Sequence, residues 1–233
     1  MRHCIYPMNK FTLIILVGMI FLPLFGLHHL STPENPLIVT EKSNALSLYD
    51  EMHLDGKVNR DAFVHAVKGF EKITTRKKDI LTLIDFSKPS NQVRLYVFDL
   101  QKKSLLFSSL VAHGKNSGGL MATHFSNREG SHQSSLGFYL TEKTYQGKNG
   151  YSLVLEGLEK GINDQARQRA IVVHGAAYAN PSVIRQGGRL GRSFGCPALP
   201  EKNNRPIIDA IKEGSVLYIY AGNPDYFTQT TIL

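Results

Sequence analysis

Short runs of apolar residues, separated by polar turns, dominate the chain from residue 80 onward. The runs are rich in Val, Ile, Leu, Tyr and Phe, and turn-forming stretches such as QGKNGY separate several of them. They cover residues 81–86, 93–100, 104–113, 136–145, 151–158, 170–175 and 215–221. Seven short strands with few helices between them predict a mainly β domain, built as an antiparallel sandwich or a barrel-like sheet.

Ahead of these strands, the apolar residues recur at helical spacing. Two short helical patterns lie within residues 41–74, and Asn59 can cap the second one. The apolar stripe of this second helix consists of Phe63, Ala66, Val67 and Phe70. Around Gly56 the chain briefly resembles a calcium loop, but Ala62 stands where such a loop needs a bidentate Glu. We therefore expect a helix–helix turn without a metal.

A third helical pattern appears late, between the last two strand runs. Its expected features, in chain order, are a cap at Asn203 or Asn204, Pro206 in the first turn, Ile207 and Ile211 on one face, and Gly214 at the end. The pattern therefore predicts one helix within an otherwise β region.

The amino-terminal part has the pattern of an export signal. Residues 11–27 are apolar and uncharged, Arg2 and Lys10 precede them, and the polar, Pro-containing stretch 31–36 follows. No A-x-A-like cleavage pair is evident, and the apolar run is close to the roughly 20 residues that span a bilayer. Cleavage of a signal peptide and retention as a membrane anchor both stay open, and in either case we expect an exported, periplasmic or cell-envelope protein.

The charge balance narrows the choice of partners. The chain carries a net charge of +8. Its basic residues are spread along the sequence without the aromatic-interleaved stripe of nucleic-acid binders, so we expect no nucleic-acid partner. An anionic envelope polymer or a membrane surface fits an exported basic protein. A solvated basic surface without a specific partner is the alternative.

Cysteine usage points to an unpaired thiol in the β region. Cys196 has only Cys4 as another cysteine, and Cys4 precedes the apolar run. An exported cysteine without a partner is either a small buried hydrophobe or a thiol that the protein uses. Gly195 and Pro197 flank the sulfur and favour a shaped turn, in which the amides of Phe194, Gly195 and Cys196 would converge as an oxyanion hole.

A nucleophilic thiol needs a base or a nearby positive charge, because its ordinary pKa of about 8.5 keeps it protonated at neutral pH. Two histidines end apolar strand runs: His174 in AIVVHG and His113 in VAHG. We favour His174, since its strand is nearer to the cysteine in sequence, although a histidine at a strand end is also commonly structural. Arg192 can favour the thiolate or hold a substrate carboxylate.

These motifs together resemble a known catalytic domain. The stretches HGAAYANPSVIRQGGRLGRSFGCPALP, VAHGKNSG, FSN and SSLGFYLTEKTYQGKNGYSLVLEGLE resemble the murein L,D-transpeptidase catalytic domain family, a divergent YkuD-like branch. The resemblance covers roughly residues 80–222. It implies a β-rich fold in which a cysteine thiolate attacks the third-residue carbonyl of a peptidoglycan stem tetrapeptide and releases D-Ala. The thioester then passes to an amine, forming a cross-link, or to water.

Carried onto this chain, the resemblance implies a role for each matching residue. Cys196 matches the nucleophile, and His174 matches the base, its ring held by a backbone carbonyl. Ser193 and Gly195 match the fixed part of the S-x-G-C turn. The candidates for substrate binding are Arg192, Phe194, His113 and Tyr178. The resemblance implies neither a metal nor an organic cofactor.

The chain departs from the wider family pattern S-H-G-C-x-R at two positions. Phe194 stands in place of the His, and Ala198 stands in place of the Arg, whose role Arg192 or Arg189 would take over. These departures leave three functions open: a transferase, a hydrolase with water as acceptor, and a non-catalytic wall-binding protein.

The expected segments are a signal or anchor (1–30), a linker with helices (31–79), the catalytic domain (80–222) and a tail (223–233).

Overall fold

A computed structural model describes the backbone of residues 36–233 and the side chains of residues 44–233. The predicted signal peptide or anchor at residues 1–30 lies outside the described residues. Within the described part, no helix combines the length and the apolar character needed to cross a bilayer.

The described residues form helices and strands in a mainly β arrangement. The helices are α1 (Pro36–Glu51), α2 (Arg60–Lys72), α3 (Pro181–Gly187), α4 (Glu201–Ile211) and α5 (Pro224–Gln229), with a 3-10 turn at Ala177–Ala179. The strands are β1 (Ile80–Asp85), β2 (Leu95–Asp99), β3 (Ser104–Ser109), β4 (Gly137–Gly147), β5 (Gly150–Gly157), β6 (Val172–Gly175), β7 (Ala198–Leu199) and β8 (Val216–Tyr220). Every predicted strand run contains a strand. The sequence missed only β7, whose two residues are too short for a pattern.

All eight strands belong to one sheet in the order β3-β2-β1-β8-β4-β5-β6-β7. The two edges approach each other, since Ala112, just after β3, exchanges backbone hydrogen bonds of 2.8 and 3.3 Å with Ala198 of β7. The sheet is therefore nearly closed, which confirms a mainly β, barrel-like fold. The expectation of antiparallel strands was wrong at two pairs, because β8 runs parallel to β1 and β7 runs parallel to β6.

Helix α2 covers the sheet as its apolar stripe predicts. Asn59 caps the helix, its side-chain oxygen accepting hydrogen bonds from the amides of Asp61 and Ala62. Phe63 is fully buried and meets the ring of Phe98 edge-on at 5.2 Å. The amphipathic pattern therefore places α2 against the sheet, where burial of large apolar side chains stabilises the contact.

The start of α4 differs from the prediction. The helix begins at Glu201, so neither Asn203 nor Asn204 is its cap, and Pro206 lies within the helix beyond its first turn. The N-cap residue, Pro200, has no capping side chain, and Asn180 takes over that function: its side-chain oxygen accepts from the Glu201 amide at 3.0 Å while its amide group donates to the Glu201 carboxylate at 2.7 Å. A cap contributed from twenty-one residues upstream leaves no local pattern, so the sequence could not indicate it.

A buried carboxylate fastens the last residues of the chain to the sheet. Glu159 accepts hydrogen bonds from the Phe138 amide at 2.6 Å and from the hydroxyl groups of Tyr226 and Thr230. Burial raises the pKa of this carboxyl, although these donors oppose the rise. Tyr226 of α5 is itself buried in the core. The segment at 223–233 therefore packs against the sheet.

We expect Gly69→Ala to destabilise the fold, against the usual effect in a helix. Ala normally improves a helix interior by about 1 kcal/mol over Gly. Gly69, however, faces the sheet, and an added Cβ would overlap the ring of Phe138. Overpacking typically costs about 1–3 kcal/mol, so the free energy of unfolding in urea should fall by about 1 kcal/mol or more.

The matched control for this prediction is Gly187→Ala at the end of α3. An added Cβ at Gly187 meets no atom within 4 Å, so we expect a neutral or stabilising effect there. A stabilised Gly69→Ala protein would contradict the described packing of α2 on the sheet.

Candidate active site

The turn that carries the cysteine is shaped by its own side chains and backbone. Ser193 Oγ donates to the Cys196 carbonyl at 2.6 Å and accepts from the Gly195 amide at 3.1 Å. Gly195 has φ +127°, where an added Cβ would lie 2.8 Å from the carbonyl oxygen of Gln133. Ser193 is therefore needed for the hydrogen bonds that shape the turn, and Gly195 is needed because it has no side chain.

Two neighbouring segments hold the same turn from outside. The Ser193 amide donates to the His113 carbonyl at 2.9 Å, and the Lys115 amide donates to the Ser193 carbonyl at 2.8 Å. Ser134 Oγ donates to the Gly195 carbonyl at 3.0 Å. The cysteine turn is thus fixed against the chain after β3 and the loop before β4, which positions its sulfur rigidly.

Cys196 is partly buried, and it is the free cysteine of the described residues. The Val172 amide donates to its Sγ at 3.5 Å. Burial raises the pKa of the thiol, while the Val172 amide and the charge of Arg169 oppose that rise without cancelling it. The resting thiol is therefore protonated at neutral pH, and its use as a nucleophile requires a base.

His174 has the geometry of such a base. Its Nδ1 lies 2.9 Å from the carbonyl oxygen of Gly175. A carbonyl only accepts hydrogen bonds, so Nδ1 carries the proton and Nε2 presents its lone pair. Burial lowers the pKa of the ring, which is therefore neutral at pH 7. His174 of β6 pairs with Ala198 of β7, so the turn that carries Cys196, two residues before Ala198, lies next to the strand of His174.

One pocket, with a volume of about 520 Å³, brings most of the predicted residues together. The predicted site residues along its wall are Cys196, His174, Ser193, Arg192, Phe194 and Tyr178. Lys148 and Asn149 from the β4–β5 turn and Glu201 from α4 also line it, and no sequence pattern had indicated these three. The cysteine and the histidine thus face a common cavity of substrate size.

His113 is fully buried and does not line this pocket. Its Nδ1 lies 2.9 Å from Arg94 Nη2, a donor, and its Nε2 lies 3.3 Å from the Gly118 carbonyl oxygen. Burial, reinforced by the charge of Arg94, lowers the pKa of His113 to about 4. Both ring nitrogens are engaged, so the structure offers His113 neither as a base nor as a substrate contact.

The rim of the pocket is aromatic and cationic. Phe194 is 66% exposed, and its ring lies 4.6 Å from both the Lys115 ammonium and the His132 ring centre. Arg192 Nη1 donates to the carbonyls of Lys115 and Gly118, at 3.2 and 2.9 Å. A substrate that enters this pocket therefore meets positive charge beside an exposed ring.

Tyr178 closes another side of the pocket. Its ring stands edge-on to the His174 ring at 6.5 Å, and burial raises the pKa of its hydroxyl to about 12. The Gly191 amide donates to the Tyr178 carbonyl at 2.8 Å, and a Cβ on Gly191 would lie 2.5 Å from that of Tyr178. Gly191 is therefore a site residue that sequence reasoning missed, since a close approach between loops has no local pattern.

The arginine missing after the cysteine has a structural explanation. Ala198 is fully buried in β7, in a small apolar cluster with Ala112 and Leu190, where burying an unpaired guanidinium would be costly. Of the two proposed replacements, Arg192 lines the pocket and Arg189 does not. The sequence did not indicate Arg169, the cation whose charge acts on the thiol.

Two amides of the cysteine turn have no hydrogen-bond acceptor among the described residues. The Gly195 amide already donates to Ser193 Oγ, so of the three amides expected there only those of Phe194 and Cys196 remain. Neither of these two donates to an oxygen elsewhere in the described residues. Among the described residues, no three or more His, Cys, Asp or Glu side chains are grouped so that they could hold a metal ion.

Comparisons with known proteins identify a family for this chain. A family model described as L,D-transpeptidase catalytic domain matches residues 54–220. Two of the similar solved structures are an L,D-transpeptidase from Mycobacterium smegmatis, at 13% identity and TM-score 0.38, and one from Stackebrandtia nassauensis, at 15% and 0.37. A third is the helical cell shape determining protein Pgp2 from Campylobacter jejuni, at 15% and 0.41.

The extent of these structural matches differs from one relative to the next. The match covers 61% of this chain and 59% of the Mycobacterium smegmatis protein, so this chain spans less than two thirds of that relative. The corresponding shares are 79% and 79% for the Stackebrandtia nassauensis protein and 66% and 55% for Pgp2. A search among curated proteins returned no match.

Proposed function

The chain belongs to the L,D-transpeptidase catalytic domain family, and from that premise we propose that it is a peptidoglycan L,D-transpeptidase acting through a Cys196 thioester. The observation that carries the proposal is the single pocket shared by Cys196 and His174, with the lone pair of His174 Nε2 left free by the bond at Nδ1. Both groups rest in the neutral form, which is the starting state for a general-base mechanism.

Acylation begins with one proton transfer. His174 Nε2 takes the thiol proton as Cys196 Sγ forms a bond to the third-residue carbonyl carbon of the stem tetrapeptide. The negative charge that develops on the carbonyl oxygen lies beside the amides of Phe194 and Cys196, which have no other oxygen acceptor. Collapse breaks the bond to D-Ala, and the imidazolium returns its proton to the departing amine. The enzyme then holds the acyl group as a thioester.

Deacylation repeats these steps with an amine of a neighbouring stem. The amine attacks the thioester carbonyl, and His174 accepts the proton that the amine loses. The sulfur leaves as a thiolate and is reprotonated by the imidazolium, which restores the resting pair. Water in place of the amine would give a shortened stem and no cross-link.

The pocket rim supplies the binding that orients the stem. Arg192 and Lys148 line the pocket as cations, and a stem peptide carries several carboxylates. Phe194 presents an exposed ring against which an apolar part of the stem can pack. We assign Arg192, Phe194 and Tyr178 to substrate binding and leave His113 out, because both of its ring nitrogens are engaged.

We place this reaction outside the cytoplasm. The family acts on peptidoglycan, and residues 11–27 have the pattern of an export signal. We further propose that residues 80–222 form the catalytic unit, with the helices within 31–79 packed on it as a brace. No bound metal or organic cofactor has a part in these steps.

The direct test is product analysis with a disaccharide tetrapeptide that ends in D-Ala. We expect the purified protein to release D-Ala and to form a cross-linked dimer, both detected by mass spectrometry. A matched substrate ending in L-Ala should remain intact. Shortened monomer alone would assign the hydrolase reaction, and no release from the D-Ala substrate by a folded protein would reject the proposal.

A further inference from the structure

Arg169 lies behind the cysteine turn, and its position suggests a use beyond bracing. It sits in the loop that leads into β6, and its half-buried guanidinium contacts segment 126–135. Its acceptors are the carbonyls of Ser126 and Gln133, at 2.8 and 2.6 Å, and the hydroxyl oxygens of Ser135 and Ser131, at 2.6 and 3.3 Å. Each of these acceptors is neutral.

The charge on Arg169 is therefore not cancelled locally. None of the ion pairs among the described residues includes Arg169. A partly buried cation surrounded by neutral dipoles keeps a long-range field, because little water screens it. The field of Arg169 can thus act on a neighbouring group that gains negative charge.

The guanidinium is also close to the cysteine turn. Arg169 Nη2 lies 3.3 Å from the position that a Cβ on Gly195 would occupy, next to the nucleophile in sequence. Segment 126–135 connects the two, since Ser134 Oγ donates to the Gly195 carbonyl. The charge of Arg169 accordingly stands at a fixed place relative to the sulfur.

We propose that Arg169 is a positioning residue whose fixed positive charge stabilises the Cys196 thiolate. This inference rests on Cys196 being the nucleophile proposed above. During acylation and deacylation the sulfur passes through an anionic state, and a fixed cation favours that state over the neutral thiol.

The other titratable groups around the sulfur do not duplicate this role. Burial lowers the pKa of His174 and raises that of Tyr178, so both rest uncharged. The charge of Arg169 opposes the burial that raises the thiol pKa, and no other ionisable side chain does so. The charged groups that line the pocket around the sulfur are Arg192 in the turn, Lys148 in the β4–β5 turn and Glu201 at the start of α4.

The test measures the pH dependence of Cys196 alkylation by iodoacetamide in the full-length protein. Alkylation reports the thiolate, and mass spectrometry of the tryptic peptide at 193–202 separates Cys196 from Cys4. Without the positive charge the thiol pKa rises. We therefore expect Arg169→Gln to slow alkylation at neutral pH by about threefold to tenfold and to leave the high-pH plateau unchanged.

The matched control is Arg167→Gln, which removes the same charge from the same loop. Arg167 is exposed and paired with Glu142, so its removal should leave the alkylation profile unchanged. Arg169→Lys keeps the charge without the planar guanidinium, so the pH midpoint of Cys196 alkylation should stay near that of the wild type. A purely bracing role would instead lower the melting temperature in both Arg169 variants and shift neither midpoint.

An unshifted alkylation midpoint in a folded Arg169→Gln protein would overturn the inference. Equal shifts in Arg169→Lys, Arg167→Gln and Arg169→Gln would also overturn it. Should Arg169→Gln fail to fold, Arg169→Met provides the neutral side chain, and a raised Arg169→Lys midpoint would still count against the charge role. Alkylation needs no peptidoglycan. A shift without D-Ala release therefore supports the role of Arg169 while rejecting the proposed function.

Discussion

Cys196→Ala should abolish D-Ala release from the stem tetrapeptide, a loss of about 10⁴-fold or more in kcat/KM. The reaction forms a covalent bond to sulfur, and no other cysteine lies in the described part of the chain. Water at the same position would lack both the nucleophilicity of the thiolate and its fixed placement beside His174. The measurement is D-Ala release followed over time, together with a search for the thioester adduct by intact-protein mass spectrometry.

The fold should survive this change. Cys196 packs at the edge of the core, and trimming one sulfur should lower the free energy of unfolding by only about 1 kcal/mol. Cys4→Ala is the matched control, since it removes the other thiol in the sequence and should leave the release rate unchanged. Release by folded Cys196→Ala at the wild-type rate would remove the thioester mechanism from consideration.

Much of the fold could be predicted from the sequence because local patterns encode its parts. Strands of β-branched and aromatic residues, and the apolar stripe on α2, each follow from the spacing of residues within a single element. The sequence predicted a barrel-like sheet as a fold class, but not which strand edges meet to close it. What local patterns do not show is that β8 inserts between β1 and β4, because its pairing with β1 joins residues more than 130 positions apart.

The candidate site likewise contains residues that a local motif identifies and residues that only the three-dimensional arrangement identifies. Cys196 and His174 stand in short motifs with recognisable chemistry, so the sequence indicated both. Arg169 and Gly191 act through contacts with distant loops and have no motif of their own. His113 shared the strand-end setting of His174, and only its burial against Arg94 separates the two. Local context thus identified the reacting groups, while their surroundings required the three-dimensional arrangement.

His174→Gln should lower kcat/KM for D-Ala release by about 10² to 10⁴-fold, the usual contribution of a general base. Gln keeps hydrogen-bonding capacity in the pocket but cannot accept the thiol proton at physiological pH. The wild-type rate should rise with pH as the imidazole loses its proton. Because burial lowers the pKa of His174, the midpoint of that rise should lie below the ordinary value of about 6.5. His174→Gln should lose this rise.

The same substitution at two other histidines makes this prediction specific. His124 is exposed and its Nδ1 contacts only the neighbouring Thr123 hydroxyl, so His124→Gln should keep both the rate and its rise with pH. His113→Gln removes an acceptor from the buried guanidinium of Arg94, so it should reduce stability while the rise with pH stays. If the rise disappeared in His113→Gln and persisted in His174→Gln, the base would be His113. The engaged nitrogens of His113 argue against that result, because a ring that already accepts from Arg94 and donates to Gly118 has no lone pair left for a thiol proton.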